Sequence, residues 1–256
     1  MAICRRIWLK PWNLAGALVV ALAAAIPLAA HAAEFARTEI LGFSKDGSRF
    51  AFEEFGIQDG SGFPYSSIYV IDTDTDSWLP GSPFRRIDEV DDSQPLDFDA
   101  ELERTRARNR AEAQPLLDEA GIAGRGATLA HNPATERLVD PFRMEAMPLP
   151  AAPNIGEPII LELAEYPLEA GTFCPSGMGQ TQGFRLTLAH EGNTRVLNDD
   201  TSLPKSRGCP LRYRIERLVV HRESDRAPAH FAVIVLMEVI GFEGAGGRYL
   251  AITGKL

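Results

Sequence analysis

Polar and apolar residues alternate with period two along Arg49-Phe50-Ala51-Phe52-Glu53, the pattern of a half-buried strand. Ser44-Lys45-Asp46-Gly47 precedes it as a turn, because Asp bonds its own backbone and Gly accepts positive φ. A turn-rich stretch from Gln58 to Gly62 follows, closed by Phe63-Pro64-Tyr65. Ile68-Tyr69-Val70-Ile71 is β-branched and aromatic, Asp72 to Asp76 is a polar turn, and Ser77-Trp78-Leu79 returns as a strand. Residues 43–80 thus read as a meander of short antiparallel strands. The remainder of the fold is expected to pack on it.

Glu39 to Phe43 reads as a strand leading into this meander, and residues 85–95 are polar and acidic. The period changes from Asp97 to Ala120, where Asp97 or Asp99 supplies an N-cap and opposite charges recur three or four residues apart. Pro115 is expected to interrupt this helix and Gly121 to end it. Its arginines, interspersed with Glu101, Glu103 and Glu112, read as a self-paired, solvated face of a helical insertion. Gly124 to His131 returns to strand. Prolines at 141, 148, 150, 153 and 158 then mark a crossing and a candidate boundary between halves 33–140 and 155–256. Further strands are expected at Ile159–Leu163, Phe184–Leu188, Arg195–Leu197, Tyr213–His221, Phe231–Ile240 and Arg248–Thr253, with Glu191-Gly192-Asn193 as a hairpin turn. Phe231 to Ile240, FAVIVLMEVI, is the most apolar run after the signal and reads as a central buried strand. The fold class is mainly β: an antiparallel meander, propeller-like or sandwich, with one helical insertion over about 97–120.

The N-terminus changes the picture. Arg5, Arg6 and Lys10 precede an Ala-rich apolar run from Leu14 to Ala30 and a small-x-small site at Ala30-His31-Ala32. Residues 1–32 read as a cleaved export signal, leaving residues 33–256 as a single periplasmic or secreted domain without a membrane span. Losing those three cations leaves 23 basic against 35 acidic residues, a net charge of −12. Such a surface repels nucleic acid and anionic headgroups. Cys4 leaves with the signal, and Cys174 and Cys209 are expected to form one disulfide in an oxidising compartment.

Motifs for chemistry mostly fail on their context. Ser202-Leu203-Pro204-Lys205 has the Ser-x-x-Lys spacing, but that motif needs a helix start and Pro204, Gly208 and Pro210 make this segment a loop. Asp72-Thr73-Asp74-Thr75-Asp76 begins like a calcium loop, yet Ser77 and Pro83 stand where Gly and a bidentate Glu are needed. His131, His190, His221 and His230 have no metal-ligand spacing. No catalytic residue, metal or cofactor is expected. Two loops are candidate binding sites. Asp59, Ser61 and Tyr65 bring a carboxylate, open amides and an aromatic together for a polar ligand or peptide. Lys205 and Arg207 place two cations on a loop pinned by the disulfide, suited to an anion.

Phe43-Ser44, Asp46-Gly47 and Phe50-Ala51-Phe52, followed by Ile68-Tyr69-Val70-Ile71-Asp72, resemble one blade of TolB-like and WD40-like propellers. FAFEEFGIQDGSGFPYSSIYVID, DSWLPGSPF and LPKSRGCPLRYRIERLVV resemble a bacterial family of predicted secreted proteins, domain of unknown function number 2259. That resemblance implies export and a shared fold, and no activity. The function expected is a periplasmic binding or interaction module for a small polar ligand or an envelope protein. Its rivals are a secreted hydrolase using carboxylates such as Glu53, Asp59 and Asp72, and a structural subunit of an envelope complex.

Overall fold

The computed structural model describes residues 34–91, 93, 95–148, 156–224, 227–242 and 244–256. The export-signal reading of residues 1–32 lies outside them, as do Pro150 and Pro153 of the crossing.

β1 (Arg37–Ser44), β2 (Arg49–Ile57), β3 (Pro64–Asp72) and β4 (Ser77–Trp78) form the expected meander. β5 (Phe84–Ile87) pairs with β3, and β6 (Ile122–Gly124) pairs with β1 to complete a first, six-stranded sheet. The β1–β2 turn forms for the reason its sequence gives. Asp46 Oδ1 accepts from the Ser44 hydroxyl at 2.6 Å and the Ser48 amide at 3.1 Å. Gly47 takes φ +80° with the His230 ring 2.7 Å from where a Cβ would stand, so only glycine fits there.

A middle sheet runs β14 (Ala245–Lys255), β13 (His230–Ile240), β12 (Pro210–His221), β7 (Ala127–His131). A third runs β11 (Asn193–Asp199), β10 (Gln180–His190), β9 (Ile159–Glu169), β8 (Arg143–Ala146). Glu191 and Gly192 join β10 to β11 with φ of 49° and 72°, the left-handed pair of a type I′ hairpin. All strand pairings within the sheets are antiparallel.

The sheets stack face to face, with the middle one covered on both sides. Phe231, Val233 and Val235 of β13 meet Leu161, Phe184 and Leu186 of the third sheet. Ala232 and Ile234, pointing the other way, meet Phe43, Phe50 and Phe52 of the first. Phe231 to Met237 are apolar at successive positions because neither face of β13 reaches water there. Stacking places the fold with the sandwiches. The blade-like meander is one layer of a stack, not one of several blades around a channel. Residues 33–256 form one compact unit.

The structure corrects three local expectations. β2 is buried on both faces, because α1 (Phe98–Glu119) lies across the outer face of the first sheet. Pro115 does not break α1. Ala113 and Leu117 on either side of it pack on Ala51, Ile68 and Val70, which carries the helix past one missing N–H until Gly121. The span 124–131 holds two strand segments in different sheets, with β6 ending at Gly124 and β7 starting at Ala127.

The arginine face of α1 is corrected as well. Arg106 Nε donates to Glu53 Oε1 at 3.1 Å and Arg110 Nε to Glu53 Oε2 at 2.9 Å, while both reach Glu39. Glu53 is fully buried, and Arg106 also lies over the Phe55 ring, 3.5 Å from its centre. The helix is docked by these pairs, which local i,i+4 counting along the helix cannot reveal. Arg106→Ala would leave Glu53 buried with one arginine in place of two. A loss of about 3 kcal/mol is expected in urea unfolding, and an unchanged midpoint would show that the pair contributes nothing.

Candidate functional site

Glu53 and Glu54 are consecutive on β2, so strand alternation sends their side chains to opposite faces. Glu53 meets the helix arginines. Glu54 faces the middle sheet, where its Oε2 accepts from the Tyr249 amide at 2.6 Å. Only 4 % of Glu54 is exposed, and burial pushes its carboxyl up to about 6 against the partial relief given by that amide, Arg248 and Arg85.

The register of β2, β3 and β5 sets what surrounds it. Glu54 is opposite Ser67, and Ser67 is opposite Arg85, so the three form one row across the sheet. The row on one side pairs Phe52 with Tyr69, and the row on the other runs Gly56, Tyr65, Ile87. A small serine therefore sits between a carboxylate and a guanidinium, walled by two tyrosines. Phe52 and Tyr69 stack with centres 4.8 Å apart, Trp78 tilts against Tyr69 at 5.7 Å, and Arg85 lies 5.8 Å from the Trp78 centre.

The first and middle sheets do not close over this grid. A cleft of about 810 Å³ remains between them. Tyr249, Leu250 and Val239 line its opposite wall, and Ser206, Arg207 and Cys209 line one end. That end is anchored by the Cys174–Cys209 disulfide, with Cα atoms 5.6 Å apart. Near the Tyr65 end, Arg248 donates to the Tyr65 hydroxyl at 2.6 Å, stacks over its ring at 4.7 Å and pairs with Glu34. Burial raises Glu34, but Arg248 and the Asp59 amide outweigh it and hold the carboxyl below its ordinary value. Burial also holds the tyrosine hydroxyls of the cleft protonated, Tyr69 and Tyr249 each pushed up to about 12.

The residues singled out from sequence fall on and off this cleft. Tyr65 and Arg207 line it. The Arg207 guanidinium is already occupied, donating to Asp200 and, at 3.2 Å, to Asn198 Oδ1, with the Phe184 ring 4.9 Å away. Lys205 is exposed at the start of a single 3₁₀ turn, outside the lining. Ser61 is exposed and donates to Gln58 Oε1 at 3.0 Å, and the half-buried Asp59 donates its amide to Glu34 Oε2 at 3.0 Å. The Asp72–Asp76 segment is a hairpin turn in which Asp72 Oδ1 accepts from the Asp74 and Thr75 amides at 2.9 and 3.1 Å. Sequence reading missed Glu54, Ser67, Arg85 and Arg248. The signal available was the Glu-Glu pair inside an otherwise apolar strand, since one of the two had to enter the inter-sheet space.

The chain from residue 51 to 255 matches a family model described as "Predicted secreted protein (DUF2259)". The chain belongs to this family. The DUF2259 match takes in Glu54, Ser67, Arg85, Arg207 and Arg248 and leaves Glu34 outside. No curated protein and no solved structure is a significant match to the chain. Among the described residues no helix is long and apolar enough to cross a membrane, which accords with the family's description as secreted.

The position of Glu54 has a measurable pH signature. Its folded value of about 6 stands above the ordinary 4.5, so its stabilising contribution is complete below 4.5 and is lost as pH rises through 6. Glu54→Gln removes that dependence. The variant's stability relative to wild type should rise by about 2 kcal/mol between pH 4 and pH 8 in urea titrations. A difference independent of pH would place the carboxyl in water.

Proposed function

We propose that this secreted protein is a binding module of the periplasm or cell exterior that holds a small polar ligand in the cleft between its first and middle sheets. The carrying observation is the cleft itself. Its volume of about 810 Å³ is in the range of small-molecule sites, and its walls combine aromatic rings with a few polar groups. Tyr65 and Arg207, drawn from the two loops that the sequence marked, both border it.

The rival readings draw less support. Glu53 is held by Arg106 and Arg110 on the helix side, and Asp72 by Arg49 at 2.8 Å. Arg49 is opposite Asp72 and four residues from Glu53, so about 13 Å of strand separates the backbone positions of the two acids. A hydrolase built on them has no cluster to work with. An envelope subunit would favour an apolar patch of its own. Trp78, Ile87 and Ile240, three of the exposed large apolar residues, instead border the cleft.

Thermal melting of the mature protein against calcium, sugars, peptides and anionic metabolites tests the proposal. A ligand at a hundred times its Kd adds about 2.7 kcal/mol of stability and raises Tm. One chemical class is expected to shift wild type and to lose that effect in Ser67→Trp, which fills the floor of the cleft. A shift that survives in Ser67→Trp would put the ligand elsewhere, and a panel without any shift would remove the small-ligand reading.

The disulfide should matter to the same end of the cleft. Replacing both Cys174 and Cys209 with Ser opens a loop spanning 35 residues of sequence separation. A loss of roughly 3–4 kcal/mol in urea is expected, and a loss under 1 kcal/mol would mean the loops hold without it.

A further inference from the structure

The charged groups of the cleft are mostly spoken for within the protein. Arg86 pairs with Asp88 at 2.9 Å, Arg207 with Asp200, and Arg248 with Glu34. Asp76 Oδ1 accepts from the Thr253 amide and hydroxyl at 2.7 and 2.8 Å. Two charged groups have no ion pair among the described residues. Glu54 uses one carboxylate oxygen on the Tyr249 amide, and its other oxygen has no hydrogen-bond partner among the described residues. Arg85 is exposed and makes no ion pair among the described residues; its guanidinium lies near the Trp78 ring and hydrogen-bonds the Tyr69 side chain.

These two charges are opposite in sign and share one row of one sheet face, with Ser67 between them. Adjacent strands lie about 4.8 Å apart, so two strand spacings put the Glu54 and Arg85 backbones about 10 Å apart. They do not pair with each other. The short side chain of Ser67 leaves room between them, bordered by Tyr65 and by Tyr69, which hydrogen-bonds both Ser67 and Arg85. An ammonium group is suited to a buried carboxylate flanked by ring faces, and a carboxylate to a guanidinium.

The geometry points to a zwitterionic ligand, an α-amino acid or a dipeptide, seated over Ser67 with its ammonium on Glu54 and its carboxylate on Arg85. This rests on the cleft being the binding site. The aromatic and apolar walls, with Phe52, Trp78 and Leu250, then receive an apolar side chain.

The test strips one charge at a time. L-phenylalanine and L-phenylalanyl-glycine are compared with 2-phenylethylamine, which lacks the carboxylate, and 3-phenylpropionate, which lacks the ammonium. Calorimetry on the mature protein should show at least one zwitterion binding tenfold or more tighter than either single-charge analogue. Glu54→Gln should bring that zwitterion down to the level of 3-phenylpropionate, and Arg85→Gln down to the level of 2-phenylethylamine. Circular dichroism melts confirm that each variant is folded. Arg85 is exposed, so its replacement leaves the core intact and keeps the test decisive even where Glu54→Gln perturbs folding. The proposal is overturned if 3-phenylpropionate equals the zwitterions and ignores Glu54→Gln, which makes the ligand an anionic amphiphile and leaves the cleft reading standing. It is equally overturned if none of the four binds. In that case a sugar or anion whose binding Ser67→Trp abolishes would still uphold the cleft, and the absence of any such ligand would end both readings.

Discussion

Two carboxylates side by side on one strand, Glu53 and Glu54, set the terms for the layers around them. Strand periodicity forces one into each inter-layer space, and neither space is wet enough to solvate a charge for free. On the outer side the problem is solved by docking. α1 brings Arg106 and Arg110 down onto Glu53, and the helix becomes a layer of the fold. On the inner side it is solved only in part. A single amide from β14 meets Glu54, the carboxyl stays protonated to unusually high pH, and the neighbouring space is left open as a cleft.

That opening is possible because the middle sheet does not depend on it. β12 and β13 bury their other face against the third sheet through Tyr213, Ile215, Phe231, Val233 and Val235. The first sheet is fixed to the middle one at the far end by Phe43, Phe50, Phe52, Ala232 and Ile234. Apolar contact at one end and polar, aromatic lining at the other produce a stack that is closed where it needs stability and gapped where Tyr65, Ser67 and Arg85 stand. The disulfide and the Arg207–Asp200 pair serve that gap by holding a loop at its edge.

Much of the fold was legible in the sequence because it rests on local rules. The Asp46-Gly47 turn, the Glu191-Gly192 hairpin, the Asp97 cap and the apolar run from Phe231 to Met237 of β13 each follow from a few neighbouring residues. What was not legible depends on register between distant strands. No local pattern pairs Ser67 with Arg85, or sends Arg106 to a glutamate 53 residues earlier in the chain. The candidate site suffered from the same limit. Glycine-rich loops attracted notice as places where ligands approach backbone, yet Ser61 ended on the rim against Gln58 and Lys205 in solvent. The cleft is built from strand interiors whose residues look like ordinary core until a second sheet is placed above them.

The most direct test of this account is the titration of the Glu54 side-chain carboxyl, followed by carbon-detected NMR in the unliganded protein. A carboxyl enclosed between two sheets, with one amide for company, should titrate near 6. An ordinary value near 4.5 would mean that water or an ion pair already satisfies Glu54, and the open, unneutralised site from which the binding reading grows would not exist.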